Sequence, residues 1–288
     1  MIRSSCFVAL TATLSALAVP IAPAHAQLAR TFVSSFGSDT NDCNRLTPCR
    51  TFQRAHDNTL SAGEITVLGP GGYGTVTITK AISIINDGIG EAGILVSGGS
   101  NGVTVVAAAT DAVSLCGLTI KGIGFGGGNG IAFNTGATLT IENCAIRTLT
   151  GTAFKGFGVV FQAAVSSHLA MLNTIVADNS NDGVHVEPTL AASVRATFTR
   201  VQVVNNGSDG LLFSGTGSTG TINAVVEDSI AAKNGSVGFE VFSGAQLASV
   251  MVIRSIAAHN AIGISSGGAA AIFRIGHGFL LRSVVVLS

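Results

Sequence analysis

Four related segments of the chain read D-N-S-N-D-G-V-H-V from Asp178, N-N-G-S-D-G-L-L-F from Asn205, K-N-G-S-V-G-F-E-V from Lys233 and H-N-A-I-G-I from His259. Their asparagines, Asn179, Asn206, Asn234 and Asn260, lie 27, 28 and 26 residues apart. Each is followed within four residues by a glycine: Gly183, Gly210, Gly238 and Gly263. A period in the twenties, with a turn signal and an apolar pair in each copy, marks a solenoid whose rungs share one continuous core.

Overlaying the copies on the asparagine sorts the other positions. Eight residues before it stand Met171, Phe198, Val226 and Val252, all apolar and so expected to point inward. Six before it stand Asn173, Arg200, Asp228 and Arg254, all polar and so expected outside. Rungs stacked about 4.8 Å apart would set Arg200, Asp228 and Arg254 in a plus-minus-plus column. Exposed pairs of that kind contribute about 0–1 kcal/mol each, so Asp228 reads as a structural residue that fixes register. Four asparagines stacked at a tight turn predict a ladder of side-chain amides.

Composition agrees with an all-β chain. Of 288 residues, 47% are hydrophobic and only 10% charged, and 37 glycines break the apolar runs. Short alternating segments such as Ile65-Thr66-Val67, Val76-Thr77-Ile78, Ile82-Ser83-Ile84 and Val103-Thr104-Val105 predict half-buried strands. Fifteen basic and fifteen acidic residues cancel, which leaves no field to hold nucleic acid.

The first residues predict export. Arg3 precedes an apolar stretch from Cys6 to Val19, and Ala24-His25-Ala26 is a small-x-small cleavage site, so residues 1–26 read as a secretory signal cut before Gln27. No later run is long and apolar enough for a membrane-spanning helix. In an oxidising compartment Cys43 and Cys49, which bracket a proline-containing loop, are expected to form a disulfide. Cys116 and Cys144 lie 28 apart, one repeat, and spacing leaves their pairing open. Residues 27–63 read as an N-terminal cap with a short helix around Phe52, Ala55 and Leu60, started by Thr51, with His56 and Asp57 on its solvated face. Residues 64–288 read as the solenoid, of about eight rungs at this repeat length.

The segments T-F-V-S-S-F-G-S-D-T-N-D from Thr31, P-C-R-T-F-Q-R-A from Pro48 and G-E-I-T-V-L-G-P-G-G-Y-G from Gly63 resemble the start of pectate-lyase-like, right-handed parallel β-helix proteins. The rung from Gly130, G-I-A-F-N-T-G-A-T-L-T-I-E-N-C-A-I, is similar to that superfamily's repeat. The resemblance covers nearly all of the chain after residue 26 and implies the fold. It implies no single activity, because the superfamily includes lyases, hydrolases, epimerases and adhesins.

Family catalytic patterns find no match. Pectate-lyase-like sites would group aspartates around calcium beside an arginine base, but here the acids are spread singly and no rung offers three facing oxygen ligands. No cofactor is therefore expected; calcium stays open as an alternative, without a ligand cluster to support it. Polygalacturonase-like sites would carry a D-D pair before G-H-G, whereas Gly276-His277-Gly278 has no such pair ahead of it.

The strand after each repeated glycine offers the most suggestive surface. Its outward positions include His185, Glu187 and Glu240, with Gln162 and Phe242 alongside, a face able to hold a sugar chain. Glu187 and Glu240 are two rungs apart, about 10 Å, at or just beyond the spacing of inverting glycosidases. The leading expectation is an exported glycan-binding or scaffold protein without a catalytic set. The alternative is a lyase or hydrolase acting on an acidic polysaccharide through this face. A third reading, an oligomeric adhesin-like stalk, rests on the C-terminal run from Arg282 to Ser288. Aligned with Arg254 to Asn260, that run leaves an open apolar edge suited to self-association.

Overall fold

The computed structural model describes residues 27–287 except 125–126, 153, 245–246, 269–270 and 276–279. Residues 1–26, expected to be a secretory signal, and the G-H-G triplet fall outside the described residues. Among the described residues every strand pairing is parallel, and the strands build two sheets, one of ten strands and one of sixteen. The ten-stranded first sheet runs from Leu28–Val33 through Thr138–Glu142, Ser167–Leu172, Val194–Thr199, Ile222–Glu227 and Ala248–Ile253 to Ala271–Ile275. Successive strands of this sheet are one chain turn apart, so its ten strands span about nine turns rather than eight.

The second sheet has two arms. One holds short strands such as Ile175–Ala177, Gln202–Val204 and Ile230–Ala232, and the other holds Val159–Phe161, Val184–Val186, Leu211–Ser214 and Val237–Phe242. They join because Ile256–Gly267 is a single strand long enough to pair with both. The additional turn comes from the cap segment. Leu28–Val33 already pairs with Thr59–Val67 as the first strand of the first sheet, ahead of the helix.

Register explains why these residues form these strands. Ile141, Met171, Phe198, Val226 and Val252 are direct partners on successive strands, each 0% exposed. Phe133 and Phe161 stack with centroids 4.2 Å apart. Burying an aromatic or aliphatic side chain of this size contributes about 1.5–3 kcal/mol. Between strands the chain turns through left-handed residues in two columns. Asn173, Arg200, Asp228 and Arg254 form one, with φ between 44° and 53°. Asp178, Asn205, Lys233 and His259 form the other, each just before a ladder asparagine, with φ between 55° and 58°.

The ladder runs inside the turn. Asn179 Nδ2 donates to Asn206 Oδ1 at 2.9 Å, Asn206 Nδ2 to Asn234 Oδ1 at 3.0 Å, and Asn234 Nδ2 to Asn260 Oδ1 at 3.0 Å. The same oxygens accept the backbone N–H of the preceding rung's asparagine. At the lower end Leu149 takes the asparagine's place, and only its N–H joins, at 3.1 Å from Asn179 Oδ1.

The outer charge column is only partly paired. Arg254 Nε reaches Asp228 at 2.8 Å and its guanidinium also meets Glu227. Arg200 instead donates to Asn173 Oδ1 at 2.6 Å. At the cap, Cys43 and Cys49 are disulfide-bonded and fully buried. Thr51 caps the helix Phe52–Asn58 by accepting from Arg54 N. Leu60 is exposed, in the strand that follows the helix. His56 is not solvated: it is 3% exposed, because its Nε2 accepts from Thr79 N on the first turns while Nδ1 meets Asp57. Cys116 and Cys144 are free thiols, the second buried. The last strand, Leu280–Leu287, pairs Arg282 with Ala258 and reaches as far as Ser266, four positions from the alignment that places Arg282 beside Arg254.

Candidate functional site

Two regions gather chemistry-bearing side chains, on different faces. The first surrounds His185 on the second sheet. Val184 and Val186 are inside the core, so His185 points out of the strand. It is nevertheless only 9% exposed, because the ring of Phe157 packs against it edge-on, with centroids 5.2 Å apart. Nδ1 lies 2.8 Å from Asp182 Oδ2 and Nε2 lies 3.3 Å from Glu187 Oε2. Burial alone would lower the imidazole's pKa, but hydrogen bonds and charge from the two carboxylates outweigh it and hold the pKa at about 9. His185 is thus an imidazolium at neutral pH. The same hydrogen bond from His185, acting against burial, holds Glu187 below the usual carboxylate range.

Glu187 is surrounded by donors. Its Oε1 accepts from Thr216 Oγ1 at 3.1 Å and Ser214 Oγ at 3.4 Å, and its Oε2 lies 3.5 Å from Gln162 Nε2. Gly217 closes over it, since a Cβ there would stand 3.4 Å from Glu187 Cγ. A carboxylate so fully partnered is fixed in place rather than free to take a proton from a ligand.

Glu240 lies two strands away across Leu212. Burial first, and then the charge and hydrogen bond of Asp209, raise its carboxyl to about 7, while Ser265 Oγ donates to it at 3.3 Å. The structure thus brings Gln162, His185 and Glu187 together and places Glu240 in a neighbouring pair with Asp209. Phe242 is 43% exposed.

Asp182 and Asp209 were not legible as site residues. They belong to a second column of caps, one residue before each repeated glycine. Asp182 Oδ1 accepts from Asp209 N at 3.0 Å, and Asp209 Oδ1 from Val237 N at 2.8 Å. Asn101 and Asn129 do the same lower down, accepting from Asn129 N and Phe157 N. The recurring D-G and N-G pairs were the available signal.

The second region lies on the outer face of the first sheet. A cavity of about 520 Å³ is lined by Thr138, His168, Arg195, Ser193, Thr221 and Asn223, among others. A neighbouring cavity of about 360 Å³ shares His168, Arg195 and Asn223 and continues to Val225, Ser249 and Met251. Thr138, His168, Arg195, Asn223 and Ser249 are direct register partners, one per rung. The rim is built from hydroxyls that brace the next rung: Ser193 N donates to Ser166 Oγ at 3.1 Å and Thr221 N to Ser193 Oγ at 3.0 Å. Among the described residues, the side chains of His168 and Arg195 have no hydrogen-bond or ion-pair partner, and both are exposed. Among the described residues no carboxylate lines either cavity.

His168, Arg195, Asn223 and Ser249 stand eleven before the four ladder asparagines. Carrying the overlay three positions upstream of the Met171 column would have found them. None of His185, Glu187, Glu240, Gln162 or Phe242 borders these cavities. Among the described residues no three histidine, cysteine or acidic side chains converge to hold a metal ion.

No protein-family model and no curated protein sequence matches the chain. Solved structures do. The crystal structure of pectate lyase Pel9A superposes with a TM-score of 0.63 at 17% identity, over 90% of this chain and 77% of that one. The complex of XylC with xylose superposes with a TM-score of 0.54 at 8% identity, over 88% of this chain and 68% of that one. Stacked parallel rungs, internal asparagines and these superpositions together show that the chain has the pectate-lyase-like right-handed parallel β-helix fold.

Proposed function

We propose that the protein is an exported glycan-binding β-helix that holds an acidic polysaccharide along the outer face of its first sheet. The observation that carries this reading is the pairing of His168 and Arg195, two unpartnered basic side chains on adjacent rungs beside the larger cavity. A guanidinium in that position suits the two oxygens of a sugar carboxylate. Thr138, Ser193, Thr221 and Asn223 supply hydroxyl and amide groups for sugar hydroxyls. One rung advances about 4.8 Å, close to the length of one sugar unit, so a glycan lying along the axis would meet the same column repeatedly. The disulfide supports an oxidising compartment. Superposition on a pectate lyase and on a xylose complex supports a saccharide ligand.

The hydroxyl, amide and basic side chains that line the two cavities suit binding of an acidic glycan. A second reading, hydrolysis or elimination on the His185 face, is favoured by one observation: the Glu240 carboxyl, raised to about 7, could donate a proton near neutrality. The test is a panel of acidic and neutral polysaccharides, with and without calcium. It scores retention together with new reducing ends and unsaturated products. Retention of acidic glycans that is lost in Arg195→Ala supports the binding reading. Chain cleavage that is lost in Glu240→Gln would replace it.

A further inference from the structure

Two of the four ladder asparagines, Asn206 and Asn234, are followed by glycine; the other two precede Ser180 and Ala261. At these two rungs stacking requires the dipeptide. The asparagine is needed by the ladder, and a Cβ on Gly207 would stand 2.3 Å from Ser180 O, one on Gly235 2.2 Å from Gly207 O. Asparagine before glycine is also the most labile such pair in an unfolded chain. A residue without Cβ lets its own amide nitrogen swing onto the neighbouring side-chain carbonyl carbon.

In the fold that nitrogen is occupied. Gly207 N–H donates to Asn179 O at 2.8 Å and Gly235 N–H to Asn206 O at 2.9 Å. The side chains are equally fixed: Asn206 Nδ2 also donates to Val176 O at 3.2 Å and Asn234 Nδ2 to Val203 O at 3.1 Å. Asn206 and Asn234 are 2% and 3% exposed.

We propose that Asn206-Gly207 and Asn234-Gly235 are modification sites that register unfolding: protected in the folded helix, they deamidate in the unfolded chain, and the product cannot rebuild the ladder. The glycine nitrogen forms a bond to the asparagine Cγ, the bond from Cγ to Nδ2 breaks, and ammonia leaves with the glycine proton. Water then opens the succinimide to aspartate or isoaspartate. Aspartate at 206 sets an oxygen against Asn234 Oδ1 and Val176 O where Nδ2 now donates, and it buries a charge. Isoaspartate adds a backbone methylene and breaks the rung register.

The molecule carries its own comparison. Asn101-Gly102 and Asn129-Gly130 are equally labile pairs, but their column already contains aspartate at 182 and 209, in the same accepting role. Aspartate formed at 101 or 129 keeps the accepting oxygen and gives up a single 3.3 Å donation, to Thr104 Oγ1 or to Phe154 O, where Asn206 gives up two.

The experiment incubates the protein in denaturant in mildly alkaline buffer, where amide attack is fast, and in mildly acidic buffer, where it is slow. Both samples are then refolded in one common buffer. Peptide mapping counts deamidation at each asparagine in the refolded and unrefolded fractions and in natively incubated protein. The expected result has four parts: negligible modification of native protein, a refolding yield that falls only in the alkaline sample, modified 206 and 234 confined to the unrefolded fraction, and aspartate at 101 and 129 recovered among refolded molecules. Equal modification in native protein overturns the proposal. So does modified 206 or 234 among refolded molecules in the same proportion as 101 and 129, and so does a refolding failure that precedes any modification.

Discussion

His168 and Arg195 are direct partners on adjacent strands of the first sheet, and together they border both cavities on its outer face. Both are exposed, and among the described residues neither side chain has a hydrogen-bond or ion-pair partner, so the Arg195 guanidinium is open to an anionic ligand.

Removing the guanidinium in Arg195→Ala should therefore weaken binding of an acidic polysaccharide by about ten- to a hundredfold, the range for losing a charged hydrogen bond. Arg200→Ala, which removes a side chain already spent on Asn173, should leave affinity unchanged. Calorimetry at low and high salt checks both, since a charge-driven contact weakens as salt rises.

Asn206→Ala should destabilise by about 3 kcal/mol, because it strips partners from the N–H and Nδ2 of Asn179 and from the Val176 carbonyl in a buried turn. Asn223→Ala, on the exposed face, should stay within about 0.5 kcal/mol of the parent. Urea midpoints at unchanged m-value separate the two.

Stability should fall as pH rises, in two windows. Glu240 is raised from 4.5 to about 7, so the folded state binds its proton more tightly; that contribution is complete below 4.5 and lost as pH climbs through about 7. His185 is raised from 6.5 to about 9, so its contribution is complete below 6.5 and lost as pH climbs through about 9. Glu187 has the opposite sign: its pKa lies below 4.5, and its contribution disappears on acidification below that value. Melting temperatures should show Glu240→Gln flattening the lower window and His185→Gln the upper. A parent curve that is flat from mild acid to mild alkali would refute the assignment.

Cys43→Ser should cost about 2 kcal/mol, the chain-entropy value for so short a loop. Both sulfurs are fully buried, and the Cys43 carbonyl and Cys49 N–H bracket Phe32, so reductant should act only as the cap opens. A thiol reagent should find Cys116 before Cys144, whose thiol burial pushes up to about 12. Time-resolved labelling of the native protein reads both effects.

The asparagine ladder and the inward columns were legible because each depends only on residues one repeat away, and stacking converts that spacing into contact. Asn206 meets Asn234 for the same reason that Phe198 meets Val226. The turn count was harder. Leu28–Val33 lacks the repeat's asparagine and glycine, yet it completes the first sheet's edge by pairing with Thr59–Val67.

The candidate site was legible in part. Alternation correctly put His185 outside its strand, but it could not reveal that Phe157, from the preceding rung's loop, would cover it. Nor could spacing show that Thr216 would fold back onto Glu187, since loops between rungs differ in length and carry no common register.

By itself the sequence determined a parallel β-helix, its core columns and the asparagines of its turns, because a periodic chain that must bury one face has essentially one way to stack. Only the tertiary structure decided which outward residues meet solvent. That depends on irregular loops laid over a regular scaffold, which closed over His185 and Glu187 and left His168 and Arg195 open.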